Sequence, residues 1–175
     1  MKYSLPKVWP FTIFLAFIGC AHQPVRTSLM PHVDIPRFMG DWHVISSIPL
    51  ASEKDAYSAV ESYRLKEDGR IQTTYTFNEG SLEGPLKTYR PVGTVYDPTT
   101  NAEWRMQFIW PFKGVYLIHY VDDAYATTIV GGSNHSHVWV MARAPHISDA
   151  LYQSLVARAA DFGYDVTKLR RVPQK

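Results

Sequence analysis

Short runs rich in β-branched and aromatic residues recur along most of the chain, separated by turn chemistry at Glu67-Asp68-Gly69, Glu79-Gly80, Asp97-Pro98 and Gly131-Gly132. The alternation predicts strands over residues 41–48, 57–65, 70–78, 87–96, 102–110, 115–121, 125–131 and 137–143. Eight strands with turn-sized gaps suit an all-β, eight-stranded antiparallel up-and-down barrel. The fifth strand sets its phase: Trp104, Met106 and Phe108 alternate with Glu103, Arg105 and Gln107, so the apolar set points inward.

Only one segment breaks to a helical period. Ser148 is placed to cap, Asp149 stands in the first turn, and Leu151, Leu155, Ala159 and Phe162 recur at helical spacing before Gly163. A helix with a single apolar stripe must lie against the outside of the barrel, and a short strand, 168–172, can follow it.

The N-terminus follows a different pattern. Residues 1–19 hold Lys2 and Lys7, no acid, and an apolar run from Val8 to Ile18 interrupted by Pro10 and Thr12. This is the pattern of a signal peptide, and the run is too short for a membrane-spanning helix. Removing it takes away two of 18 basic and none of 16 acidic residues, which leaves the rest without net charge. With no basic excess there is no electrostatic footprint for nucleic acid. Residues 21–32 are polar and proline-punctuated and read as a tether, with the folded domain over 33–175.

Cys20 is the one cysteine, which excludes a disulfide within the chain. Phe17-Ile18-Gly19-Cys20 resembles a bacterial lipobox, with Phe17 where leucine is usual. The resemblance implies that Cys20 is lipidated and becomes the first residue of the mature protein. Ala21 follows it instead of the aspartate linked to inner-membrane retention. By that rule the protein is sorted to the outer membrane, held there by its acyl chains, with its domain in the periplasm.

Gly40-Asp41-Trp42 opens the first strand, and Arg143 closes the last at Trp139-Val140-Met141-Ala142-Arg143. This pairing resembles the lipocalin family, in which an arginine lies across the tryptophan at the closed end of the barrel. The likeness runs from Val33 to Val172 and is nearest to the bacterial outer-membrane lipoprotein lipocalins, through the passage Arg143-Ala144-Pro145-His146-Ile147-Ser148-Asp149. Val121-Asp122-Asp123-Ala124-Tyr125 stands where the family has a second motif and keeps its acidic turn and tyrosine without the threonine. Gly40, Trp42 and Arg143 are thus expected to be structural, through a guanidinium stacked on an indole.

Phasing the strands on the family pattern adds Glu61, Tyr63, Thr73, Tyr75, Phe77 and Tyr89 to the interior, with Leu117, His119, Thr128, His137 and Trp139. Together with Trp104, Met106 and Phe108 they form an aromatic lining with a few polar groups. Such a lining suits an acyl chain, with Glu61, His119, His137 and the tyrosine hydroxyls on a polar head. The expected ligand is therefore a fatty acid or lysophospholipid, bound, stored or transported in maintenance of the cell envelope.

Other readings rest on fewer residues. A filled barrel would leave no cavity and turn the function to the surface, where Trp110-Pro111-Phe112 is apolar for a loop and the resemblance permits homodimers. A lipid-modifying enzyme would need Glu61 and His119 as an acid/base pair, because there is no Gly-x-Ser-x-Gly and no thiol beyond Cys20. His135 and His137 form a His-x-His pair, but no third ligand stands close, so neither a metal nor a cofactor is expected.

Overall fold

The computed structural model describes residues 28–175; the signal segment, Cys20 and tether residues 21–27 lie outside the described residues. Ten strands form one antiparallel sheet. They are β1 (Gly40–Ile48), β2 (Ala56–Leu65), β3 (Ile71–Glu79), β4 (Leu86–Tyr89), β5 (Val92–Val95), β6 (Glu103–Ile109), β7 (Phe112–Val121), β8 (Thr127–Gly131), β9 (Val138–Ala142) and β10 (Arg170–Arg171). Apart from β4, which pairs with β3 alone, and β10, which pairs with β1, neighbours in sequence pair with one another, and β9 returns to β1, which closes the sheet.

The barrel proper has eight strands. β4 and β5 both pair with β3 on either side of Arg90-Pro91, and act as one interrupted strand in place of the continuous strand predicted over 87–96. Pro91 has no N–H for a ladder bond; its carbonyl instead accepts from the Thr73 amide at 3.1 Å. β10 adds two residues to the free edge of β1.

A helical turn absent from the sequence reading plugs the closed end. In α1 (Ile35–Phe38) the Asp34 side chain caps by accepting from the Arg37 amide, and Pro36 suits the first turn. The fully buried Phe38 ring stands 5.1 Å from Trp42 and 5.5 Å from both Tyr63 and Trp104. These four rings fill the lower barrel. The chain reaches the barrel before Val33: Met30 donates its amide to the Ile118 carbonyl at 3.0 Å, and Leu29 and Met30 pack on the core.

Arg143 locks this end. Its guanidinium carbon lies 3.8 Å from the centre of the Trp42 ring. Its nitrogens donate to the carbonyls of Asp41 (2.8 Å), Arg37 (2.9 Å), Phe38 (3.2 Å), Met39 (2.8 Å) and Tyr125 (3.2 Å). Gly40 has φ +94°, and a Cβ there would come within 3.3 Å of an Arg143 nitrogen, so both conformation and space call for glycine.

The outer helix α2 (Asp149–Asp161) forms as predicted, with the Ser148 hydroxyl accepting from the Leu151 amide and Gly163 past its end at φ +90°. Its buried stripe is Tyr152, Leu155 and Ala159, and Leu155 and Ala159 pack with Ile129, Val138 and Val140 on the outer barrel face. Leu151, expected in the stripe, points away and is 38% exposed; Tyr152 takes its place, under the Arg171 guanidinium. Residues 28–175 thus contain the closed barrel, its inner core and the outer helix packed on it.

Replacing Arg143 by lysine keeps the charge but loses the flat face and the fork. Arg143→Lys is expected to cost roughly 2–3 kcal/mol, because several charge-assisted bonds and the stacking are lost together. Urea denaturation measures this, and an unchanged midpoint would remove Arg143 as the lock.

Candidate functional site: an acidic apolar calyx

The upper barrel holds a cavity of about 300 Å³, at the lower end of the range for ligand pockets. Of the predicted lining, Glu61, Tyr75, Met106, Phe108, His137 and Trp139 border it. Tyr89 stands at the rim, near-parallel to Tyr75 at 6.5 Å, beside a second depression shared with Leu50, Glu53 and Phe108.

Other predicted residues point inward without reaching the cavity. Tyr63 and Trp104 belong to the filled lower layer, where Trp104 stacks on Tyr116 at 5.2 Å and the Tyr63 and Tyr116 hydroxyls are hydrogen-bonded. Thr73 is buried on the inner face of β3, and Phe77 packs behind Tyr75 and Tyr89. Thr128 donates its hydroxyl to the Tyr120 carbonyl at 2.7 Å.

Leu117 and His119 do not point inward. Ile109 pairs with Phe112 across Trp110-Pro111, and continued without change this register would set Trp104 against Leu117. A bulge between Met106 and Ile109 moves the register by one, so Trp104 faces Tyr116, and Tyr116 and Ile118 enter the core. A second shift, between Ile118 and Tyr120, returns Val121 to the inside and Tyr120 to the outer layer.

His119 therefore lies outside the wall, beneath the end of α2. Its Nδ1 donates to the Ser28 carbonyl at 3.1 Å, which leaves Nε2 to accept from the Tyr164 hydroxyl at 2.8 Å. Burial holds its pKa below the usual value, the Ser28 carbonyl works against this, and His135 adds to it. With Glu61 inside and His119 outside, the acid/base pair weighed for an enzyme is not assembled. The His-x-His pair also divides, His135 against Tyr164 and His137 against Trp139. Among the described residues no group of three or more His, Cys, Asp or Glu gathers to hold a metal.

Glu53 is a site residue that the strand pattern missed. It ends a helical turn, Ala51–Glu53, in the β1–β2 connection, where no period assigns a direction. The turn dips into the mouth, and the Glu53 carboxylate accepts from the Trp139 indole at 3.0 Å. Tyr116, Gly114, Pro91 and the loop residues Ser133 and Asn134 also line the cavity. Tyr116 had a signal, since the partner directly across from an inward Trp104 must itself point in.

The two carboxyls are 6% and 8% exposed, for Glu53 and Glu61 respectively. Burial pushes Glu53 up to about 7, against the lowering effect of the Trp139 donor. Burial pushes Glu61 up to about 8, with the Tyr63 hydroxyl lowering it and the Glu53 charge raising it further. Burial also raises Tyr63, Tyr75 and Tyr116 and depresses His137. At the mouth, Phe108, Trp110 and Phe112 are exposed, Trp110 by 82%.

A closed eight-stranded barrel with an outer helix, a plugged floor and an apolar calyx defines a ligand-binding barrel. A family model described as a lipocalin-like domain matches residues 33–174, and the chain belongs to the lipocalins. It is 28% identical to the outer membrane lipoprotein Blc of Citrobacter freundii over 97% of both chains. It is also 28% identical to temperature-induced lipocalin-1 of Arabidopsis thaliana, over 81% of this chain and 80% of that one. Among solved structures, insecticyanin from the tobacco hornworm Manduca sexta superposes with a TM-score of 0.67 at 14% identity, over 85% of this chain and 84% of the other. The cockroach allergen Per a 4 gives 0.64 at 21%, over 85% and 92%.

A carboxyl whose folded pKa is raised holds its proton more tightly folded than unfolded. The stability tied to it is complete below the unfolded value and is lost as pH rises through the folded value. Stability is therefore expected to fall from about pH 4.5, where Glu53 and Glu61 ionise in the unfolded chain, to about pH 8, where the second of them has ionised in the fold, and to level off above that. Urea midpoints across that window check this, and Glu61→Gln should flatten the slope; a flat wild-type profile would refute it.

Proposed function

We propose that this protein is a lipid-anchored outer-membrane lipocalin that binds, stores or transports fatty acids or lysophospholipids in cell-envelope maintenance, by binding and release without turnover. The observation that carries the reading is the division of the barrel into a filled aromatic floor and an apolar upper cavity with polar groups along one side. A single acyl chain matches that shape better than a two-chain lipid. Each buried methylene contributes roughly 0.8 kcal/mol, enough for micromolar affinity after the cost of association.

The anchoring rests on the lipobox-like run ending at Cys20 and on likeness to relatives named as outer membrane lipoproteins. Among the described residues no helix is long and apolar enough to cross a membrane. Acyl chains on Cys20 would hold the barrel beside the bilayer, where the exposed Trp110 and Phe112 at its mouth are suited to receive a lipid.

Titrating the full chain with a lysophospholipid, followed by tryptophan fluorescence, should give saturable one-to-one binding near the micromolar range. A Cβ at Gly114 would meet only the Met106 carbonyl at 3.8 Å and the Phe108 ring at 3.9 Å, so a larger side chain there enters the cavity without backbone conflict. Gly114→Leu is expected to weaken binding by about tenfold or more, whereas His119→Ala, outside the wall, leaves affinity unchanged. The reverse pattern, or no binding at all, would remove the calyx as the site.

The anchor has its own test. In cells fed labelled palmitate, the full chain should take up label and fractionate with the outer membrane. Cys20→Ser should do neither, and a labelled Cys20→Ser protein would refute the anchor.

A further inference from the structure

We propose, on the basis of the calyx reading above, that the polar group the cavity receives is a hydrogen-bond donor or cation, an amine or ammonium on a single long chain, held by Glu53 and Glu61. The two carboxyls come from separate elements, the helical turn after β1 and the middle of β2, and border the same cavity. Each is more than nine-tenths buried, and among the described residues neither has an ion-pair partner.

The neighbouring cations are committed elsewhere or stand at the rim. Arg170 donates to the Ala56 carbonyl at 3.1 Å and lies 4.0 Å from Asp55, while Arg90 borders the depression outside the mouth, which Glu53 also reaches, but not the cavity itself. Burial disfavours the charged form of His137, whose Nδ1 pairs with the Ser136 hydroxyl at 2.9 Å. The pocket thus offers acceptors for a positive or donating group and no positive charge for an anion.

An unpaired carboxyl inside a barrel weakens folding, and packing alone would be served as well by glutamine. A ligand ammonium removes that cost by pairing with the carboxylates. A fatty-acid carboxylate instead brings a third acid to the same place and enters only with a proton shared or carried.

The two classes of ligand therefore differ in sign with pH. From about pH 6 to about pH 9 the carboxyls ionise, so ammonium binding strengthens and carboxylate binding weakens. Of the other titratable groups nearby, Tyr75 on β3 and Tyr116 on β7 border the cavity and Tyr63 on β2 lies beneath it, and burial raises all three, so they keep their protons in that window; burial holds His137, before β9, below the usual histidine value.

The test compares three probes of equal chain length below their aggregation limits, namely dodecylamine, dodecanol and dodecanoate, titrated against the full chain across that pH range. At about pH 8 dodecylamine should bind at least about tenfold tighter than dodecanoate, with dodecanol between them. The double variant Glu53→Gln with Glu61→Gln should bring the three within about threefold while dodecanol still binds, which reports an intact calyx. A matched pair, lysophosphatidylethanolamine and lysophosphatidylglycerol, separates sources: preference for the ethanolamine lipid assigns the site to headgroup ammoniums, and parity in that pair alone assigns it to free amines. Equal binding of the three simple probes, or tighter dodecanoate, would overturn the proposal and leave the calyx reading standing. No binding by any of them would overturn both.

Discussion

The fold depends on one cation whose hydrogen bonds go to backbone carbonyls and whose face covers an indole. Arg143 lies on the face of Trp42 and turns its nitrogens to five backbone carbonyls, four of them from the segment Arg37 to Asp41 and one from Tyr125. A flat, forked, permanently charged group is the one side chain that can cover an indole and bind several carbonyls together. It ties the last strand to the turn that enters the first, so the place where the sheet closes is also the place where its end is sealed. Gly40 is constrained by the same contact, through a positive φ and the lack of room for a Cβ.

With that end sealed, the interior is graded along the barrel axis. Phe38, Trp42, Tyr63 and Trp104 fill the floor with rings at 5.1–5.7 Å, and Tyr116 stacks above them. Above this layer the side chains no longer meet across the axis, and the cavity begins. The floor thus sets the depth to which a chain can enter, and the acids along one side set what its polar end meets. A structural core and a binding pocket therefore share one set of strands, and some inward residues serve only the first.

The period-two pattern carries strand identity well, because one buried face and one wet face impose alternation wherever the pairing is regular. Trp104 and Met106, Tyr75 and Phe77, and Glu61 and Tyr63 all occupy the face their alternation implies. It fails on β7 for a definite reason. Two register shifts, one toward each neighbouring strand, reverse the phase between Gly114 and Ile118 and restore it by Val121. Leu117 and His119 share the alternation of the inward Val121 at the far end of their strand, yet they face outward. Glu53 escaped because a connecting turn has no period from which to read a direction.

Most of the strands and the outer helix with its cap and stop are legible in local chemistry and repeated spacing, and the Gly40, Trp42 and Arg143 lock is legible through the family resemblance. Only the tertiary structure decided how far the interior is filled, which face of β7 looks inward, and that a loop carboxyl joins Glu61 inside the calyx. Those outcomes depend on register and on the meeting of residues far apart in the chain. A shift of one residue between strands leaves the local sequence pattern unchanged and exchanges every side chain between cavity and surface.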